Sequence, residues 1–168
     1  MRRAAIVVVA VVVAAVLLVG ASAALDAPSR SVSTTTIVQA PREDVWRILL
    51  DFDDYADWNP YLRVTGSPVL GGSVDLRFGD ESGARELEAT ILVLKPPRKL
   101  RLQSRLLAPG IMDVEYEIIV APVTPRVTKV IQRARDEGVV VPLTSAVPTR
   151  AGLEQMAAAL ARRAEENA

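Results

Sequence analysis

Pro41-Arg-Glu-Asp-Val-Trp-Arg-Ile-Leu-Leu-Asp-Phe-Asp-Asp-Tyr-Ala-Asp-Trp-Asn-Pro60 packs a helix, a break and a second helical turn into one short run. Pro41 suits the first helical position, where its missing N–H is no loss, and Glu43 and Asp44 place negative charge at the positive end of the helix. Val45, Ile48, Leu49 and Phe52 follow at i, i+3, i+4 and i+7, one apolar stripe, so the spacing predicts a helix over Pro41 to Phe52. Asp51, Asp53 and Asp54 break the stripe. A shorter helix from Asp54 to Trp58 ends at Asn59-Pro60, because the residue before a proline is pushed towards extended backbone. Strand-like stretches flank the run, Ser33 to Gln39 before it and Tyr61 to Thr65 after it.

The order strand, Pro-x-x-x-Val-Trp, Asp-Phe-x-x-Tyr, Trp-Asn-Pro, strand resembles the START-like superfamily, which includes polyketide cyclase/dehydrase-like and lipid-transfer-like proteins. The resemblance covers about Thr34 to Glu165. It implies an α+β helix-grip fold: a curved antiparallel sheet wrapped around a long C-terminal helix, with two short helices after the first strand. For activity it implies less, since one fold hosts many unrelated functions.

Downstream of the helix pair, alternation recurs between turn signals. Gly71-Gly72 precedes Ser73 to Phe78, and Gly79 to Gly83 reads as a turn. Arg85 to Leu94 stops at Pro96-Pro97, Lys99 to Leu107 at Pro109-Gly110, Met112 to Val120 at Pro122, and Arg126 to Glu137 at Gly138. Taken at face value, these turns set Glu88 opposite Arg105 and Leu92 opposite Arg101. They set Arg105, Gln103 and Arg101 opposite Asp113, Glu115 and Glu117, and Glu117 and Asp113 opposite Lys129 and Arg133. Opposite charges across a ladder contribute roughly 0.2–1 kcal/mol each, so this set reads as the solvated outer face. The inner face takes Val74, Leu76 and Phe78; Leu87, Ala89, Ile91 and Val93; Leu100, Leu102, Ser104 and Leu106; Met112, Val114, Tyr116 and Ile118; and Thr128, Val130, Gln132 and Ala134. Thr149 to Glu166 reads as a long helix with Leu153, Met156, Ala157, Leu160 and Ala164 on one face, the cover that a half-wet sheet requires.

At the N-terminus, Met1-Arg2-Arg3 leads into an unbroken apolar run from Ala4 to Val19 and then Gly20-Ala-Ser-Ala23. This matches a secretory signal cleaved after Ala23. The rival reading is a signal anchor, since Ala4 to Leu25 reaches the ~20 residues that span a bilayer. Both place the domain outside the cytoplasm. The expected organisation is thus a signal or anchor over 1–23, a polar linker over 24–32 and one START-like domain over 33–168. The mean hydropathy of +0.24 owes much to the N-terminal run.

Composition narrows the chemistry. Twenty basic residues balance twenty acidic ones, so no basic patch points to nucleic acid. With no histidine and no cysteine, imidazole catalysis, a Ser-His-Asp or Cys-His arrangement, and metal sites built from nitrogen or sulfur ligands are excluded. The aspartates from Asp51 to Asp57 lack calcium-loop spacing and fall on the helix junction. There is no Gly-rich phosphate loop, and no cofactor or metal is expected.

What remains is a pocket on the inner face. Tyr116 sits mid-strand with a phenol that needs a partner, and Gln132 and Ser104 are the other inner polar groups. These three either meet a ligand or hydrogen-bond one another or a buried water. Phe78 and Leu102 line the sheet side, Met156 and Leu160 the helix side, and Trp58 reads as a core or lid anchor or, in the alternative, as a ligand contact. The resemblance implies an apolar or aromatic ligand held between sheet and C-terminal helix, with polar groups, including arginines, added inside the cavity of catalytic members. By alternation Arg101, Arg105, Lys129, Arg133 and Arg135 all face outward and the inner face is almost wholly aliphatic. The expectation is a non-catalytic carrier of a hydrophobic small molecule or lipid, touching the membrane through its N-terminal segment if that is retained. A cyclase/dehydrase-like enzyme and an interaction module with a filled core stand as the alternatives.

Overall fold

The computed structural model describes residues 28–79, 84–106, 110–143 and 148–166. The expected signal or anchor, the turn after Gly79 and Pro109 lie outside the described residues. Ten described elements of strand and α-helix follow one another: β1 (Ser29–Val38), α1 (Arg42–Leu50), α2 (Tyr55–Trp58), β2 (Leu62–Thr65), β3 (Ser73–Phe78), β4 (Arg85–Lys95), β5 (Lys99–Leu106), β6 (Met112–Thr124), β7 (Val127–Glu137) and α3 (Arg150–Glu166), with a 3-10 turn at Val141–Leu143 between the last two. The strands form one antiparallel sheet in the order β1-β7-β6-β5-β4-β3-β2. With α3 on its inner face, this is the helix-grip arrangement.

The helix pair explains its own sequence. The Pro41 carbonyl accepts from the N–H groups of Asp44 and Val45, so Pro41 caps α1 rather than entering it. Val45, Trp46 and Leu49 are buried. Tyr55 closes the junction by donating its hydroxyl to the Leu49 carbonyl at 2.9 Å, fully inside the protein. Trp-Asn-Pro ends α2 by a specific device. The buried Asn59 Oδ1 accepts from the backbone N–H of Tyr61 and of Leu62, each at 3.0 Å, which fixes the first residues of β2.

The outer-face ladder holds between β5 and β6, where Arg101 faces Glu117, Gln103 faces Glu115 and Arg105 faces Asp113. Elsewhere the register departs from expectation in two places. A β-bulge at Leu92 places Val93, not Leu92, opposite Arg101; beyond it Leu94 rather than Val93 packs on the core. The β6–β7 hairpin turns at Pro125-Arg126, not at Pro122, so Glu117 faces Arg133 and Ala121 faces Lys129. The shift is four residues, an even number, so every side chain keeps its face. Pro122 is tolerated inside β6 for a geometric reason. Val120 donates its N–H to Arg98 on the β5 side, so the imide nitrogen of Pro122, two residues on, points past the end of β5, where no ladder bond is lost. Glu117 is nearly buried and pairs with both Lys99 and Arg133.

β1 begins at Ser29, so residues expected in the linker are strand: Arg30, Ser31 and Val32 face Asp136, Arg135 and Ala134 of β7. From α3, Leu153, Met156, Ala157, Leu160 and Ala164 are buried, joined by Gly152 and Ala159. Arg163 near its C-terminal end pairs with Asp54 at 2.7 Å, and the Glu165 carboxylate accepts from the Gln39 N–H. Among the described residues no helix is long and apolar enough to cross a membrane.

Candidate functional site

Period-two alternation carries Tyr116 on β6 and Gln132 on β7 to the same inner face as Phe78 on β3 and Leu102 on β5, beneath Met156 of α3. All five are buried. Tyr116 donates its hydroxyl to Gln132 Oε1 at 2.6 Å, and Met156 Sδ lies 3.3 Å from that Tyr116 hydroxyl. Gln132 Nε2 in turn donates to the Leu153 carbonyl at 3.5 Å. The Phe78 ring stands edge-on to Tyr116, with centroids 6.4 Å apart, and Leu102 is the cross-strand neighbour of Tyr116. Ser104, two residues along β5, and Leu160, one turn along α3, are also buried. Burial, with smaller contributions from the nearby Tyr55 and Tyr61, raises the Tyr116 phenol well above its ordinary value. At neutral pH it is therefore a neutral donor.

The structure thus brings Phe78, Leu102, Tyr116, Gln132 and Met156 together and satisfies the polar members mutually. Trp58 stands apart. It packs on Tyr55, centroids 4.9 Å apart, and its indole N–H is buried with no hydrogen-bond partner.

A cleft of about 250 Å³ opens beside this cluster, lined by Arg30, Val32, Ala134, Asp136 and Arg150 among others. Ala134 lies directly across from Tyr116, so the cleft reaches the neighbour of the polar cluster. Asp136 is the one acidic side chain on the inner face of β7, 3% exposed. Arg30 donates to the Val141 carbonyl and Arg150 to the Ser33 carbonyl, and Arg150 also pairs with Glu154 at 3.9 Å. The inner face is therefore less purely aliphatic than alternation to Ala134 suggests. Continuing the same alternation one step gives Asp136. Arg30 was hidden because its strand lacks apolar alternation.

Tyr61 ties the start of α3 to the sheet. Its hydroxyl accepts from the Thr149 N–H at 2.8 Å just before α3, its ring lies 5.8 Å from that of Phe78, and the space for a Cβ on Gly152 is filled by that ring. Among the described residues no group of three or more carboxylates gathers closely enough to hold a metal ion.

No curated protein matches the chain in sequence. Solved structures share its fold. Norcoclaurine synthase from Thalictrum flavum, in complex with dopamine and hydroxybenzaldehyde, superposes with a TM-score of 0.67 at 14% identity, over 86% of this chain and 91% of that one. An aromatase/cyclase from Streptomyces sp. R1128 superposes at 0.62 with 19% identity, over 83% and 96%. A START superfamily protein from Mycobacterium smegmatis superposes at 0.61 with 19% identity, over 82% and 99%. The sequence model of one family, described as polyketide cyclase / dehydrase and lipid transport, matches residues 29–167. That match takes in every strand and helix described above, and the chain belongs to this family, within the START-like superfamily.

Proposed function

We propose that the domain is an exported or membrane-tethered carrier of one hydrophobic small molecule or lipid, held with its apolar body between the sheet and α3. The observation that carries this reading is the inner face itself: largely aliphatic walls around a polar pair, Tyr116 and Gln132, with Met156 beside it and a cleft opening at Ala134. Apolar walls with a few converging polar groups are the usual make-up of a ligand pocket. Tyr116 and Gln132 orient a polar end that reaches the centre. The test is binding of a fluorescent fatty acid to the wild-type chain and to Ala134→Trp, with thermal melts in parallel because overpacking alone costs roughly 1–3 kcal/mol. Loss of binding by a folded variant supports the carrier. A wild-type chain that binds no lipid or apolar probe rules it out and leaves the filled-core interaction module.

A second reading, a cyclase/dehydrase-like enzyme, draws on one observation, the buried Asp136 carboxylate beside two arginines at the cleft. A carboxylate held there could move a proton to or from a bound polyketone. Turnover of a model poly-β-ketone that Asp136→Asn abolishes, with binding kept, would favour the enzyme.

A further inference from the structure

The strand register fixes which parts of the molecule share one end of the sheet. β1 starts there at Ser29, facing Glu137 at the end of β7. β5 ends there at Leu106, facing Met112 at the start of β6. The Pro28 carbonyl accepts from the Gly138 N–H at 3.0 Å, so the chain enters the domain beside the segment that follows β7. That segment, Gly138-Val-Val-Val-Pro-Leu143, carries no polar side chain.

The segment is built, not loose. Val139 and Val140 donate their N–H groups to the carbonyls of Gly110 and Ile111, and a Cβ on Gly138 would lie 2.3 Å from the Ile111 oxygen, so only glycine allows this approach. Val141 tucks inward and is buried. Leu143, Val139 and Leu106 face solvent, exposed by 86%, 50% and 36%. Single exposed apolar side chains are ordinary, but several gathered at one end mark a contact surface.

The chain outside the described residues says what covers this end. Between Leu25, the last residue of the apolar N-terminal stretch, and β1 stand only Asp26, Ala27 and Pro28. Three extended residues reach about 10 Å, and an apolar stretch of ~20 residues matches a bilayer's hydrocarbon thickness. Once that stretch is in a membrane, the end of the sheet carrying Leu106, Val139 and Leu143 is held against its surface. The opposite end, with the β6–β7 hairpin, is held away.

We propose that this end is a membrane-docking face, with Leu143, Val139 and Leu106 inserted into the lipid bilayer that anchors the chain's own N-terminal segment, so that the inner face opens towards the lipid. This rests on the tethered form of the carrier reading. It gives that reading a route, since Leu106 and Met112 begin the inner-face rows that lead to Ser104 and Tyr116.

The chain has no cysteine, so single cysteines can be labelled without background. Leu143→Cys, Val139→Cys and, at the far end, Val123→Cys and Leu70→Cys are made in the full chain. Each carries a polarity-sensitive NBD probe and is reconstituted into phosphatidylcholine/phosphatidylglycerol vesicles with and without nitroxide-labelled lipid. The expected result is blue-shifted emission and severalfold stronger nitroxide quenching at 143 and 139 than at 123 and 70. Vesicle retention with all four probes in water, or equally quenched, overturns docking and leaves the tether standing. Probes at 143 and 139 shielded from water but unquenched mean that a protein, such as a second copy, covers this end, which also overturns it. Failure of the chain to float with the vesicles overturns the tether and the docking together. Fatty-acid binding, measured on the same preparations, reports separately on the carrier reading.

Discussion

Replacing Gly152 with alanine tests how α3 is locked onto the sheet. A Cβ at this position would lie 2.1–2.3 Å from three atoms of the Tyr61 ring, so the ring must leave. In leaving it gives up the bond from the Thr149 N–H and the contact with Phe78. A hydrogen bond contributes about 0.5–1.5 kcal/mol net and an aromatic pair a similar amount. Alanine returns up to about 1 kcal/mol through better helix propensity, since Gly152 lies in the first turn of α3. The balance is a loss of roughly 1–2 kcal/mol, or a melting temperature lower by roughly 3–10 °C for a domain of this size. Differential scanning calorimetry reads it directly. Tyr61→Ala supplies the cycle: with the ring gone, Gly152→Ala should turn neutral or stabilising, a coupling of about 1 kcal/mol or more between neighbours. If Gly152→Ala stabilises the wild-type background, the tight Tyr61–Gly152 contact does not hold α3 in place and the reasoning fails.

Tyr116→Phe should cost about 1–3 kcal/mol in chemical denaturation, because it strips Gln132 Oε1 of its donor inside the protein; a neutral result would mean that water or a ligand replaces the phenol. Burial raises the phenols of Tyr55 and Tyr116 in the folded state above the ordinary 10.0, so their contribution to stability is full below about pH 10 and is lost as pH rises above it. The midpoint in urea should therefore fall from pH 9.5 to 11 (values chosen about the ordinary phenol pKa of ~10), more steeply in wild type than in Tyr55→Phe. Glu117→Gln should destabilise the domain by about 1 kcal/mol at low salt and less at high salt, since the carboxylate is paired with Lys99 and a half-exposed Arg133; an unchanged salt response would place no weight on the pair.

The helix pair and the strand order are legible because local signals there agree. The Val45-to-Phe52 stripe, the stop at Trp-Asn-Pro and the alternation from Lys99 onward each have a short-range cause. The misreadings are of another kind. Pro122 reads as a turn because proline breaks central pairing, yet beyond the end of β5 there is no bond to break. The bulge at Leu92 has no glycine to announce it. Ser29 to Val32 show too little apolar alternation to read as strand, because β1 is half-exposed along most of its length, and so Arg30 is missed. Of the site, the Tyr116–Gln132 meeting follows from alternation alone. The Tyr61–Gly152 contact does not, because it depends on how α3 crosses the sheet.

The central claim is that the space between sheet and α3 takes an apolar molecule. Native mass spectrometry of the full chain, purified in mild detergent, tests it most directly when paired with lipid extraction. The account predicts a discrete mass adduct on the wild-type chain that extracts as a lipid or other apolar compound and is lost from folded Ala134→Trp. A chain that flies only at its bare mass, and stays so after incubation with excess fatty acid and phospholipid, would contradict it.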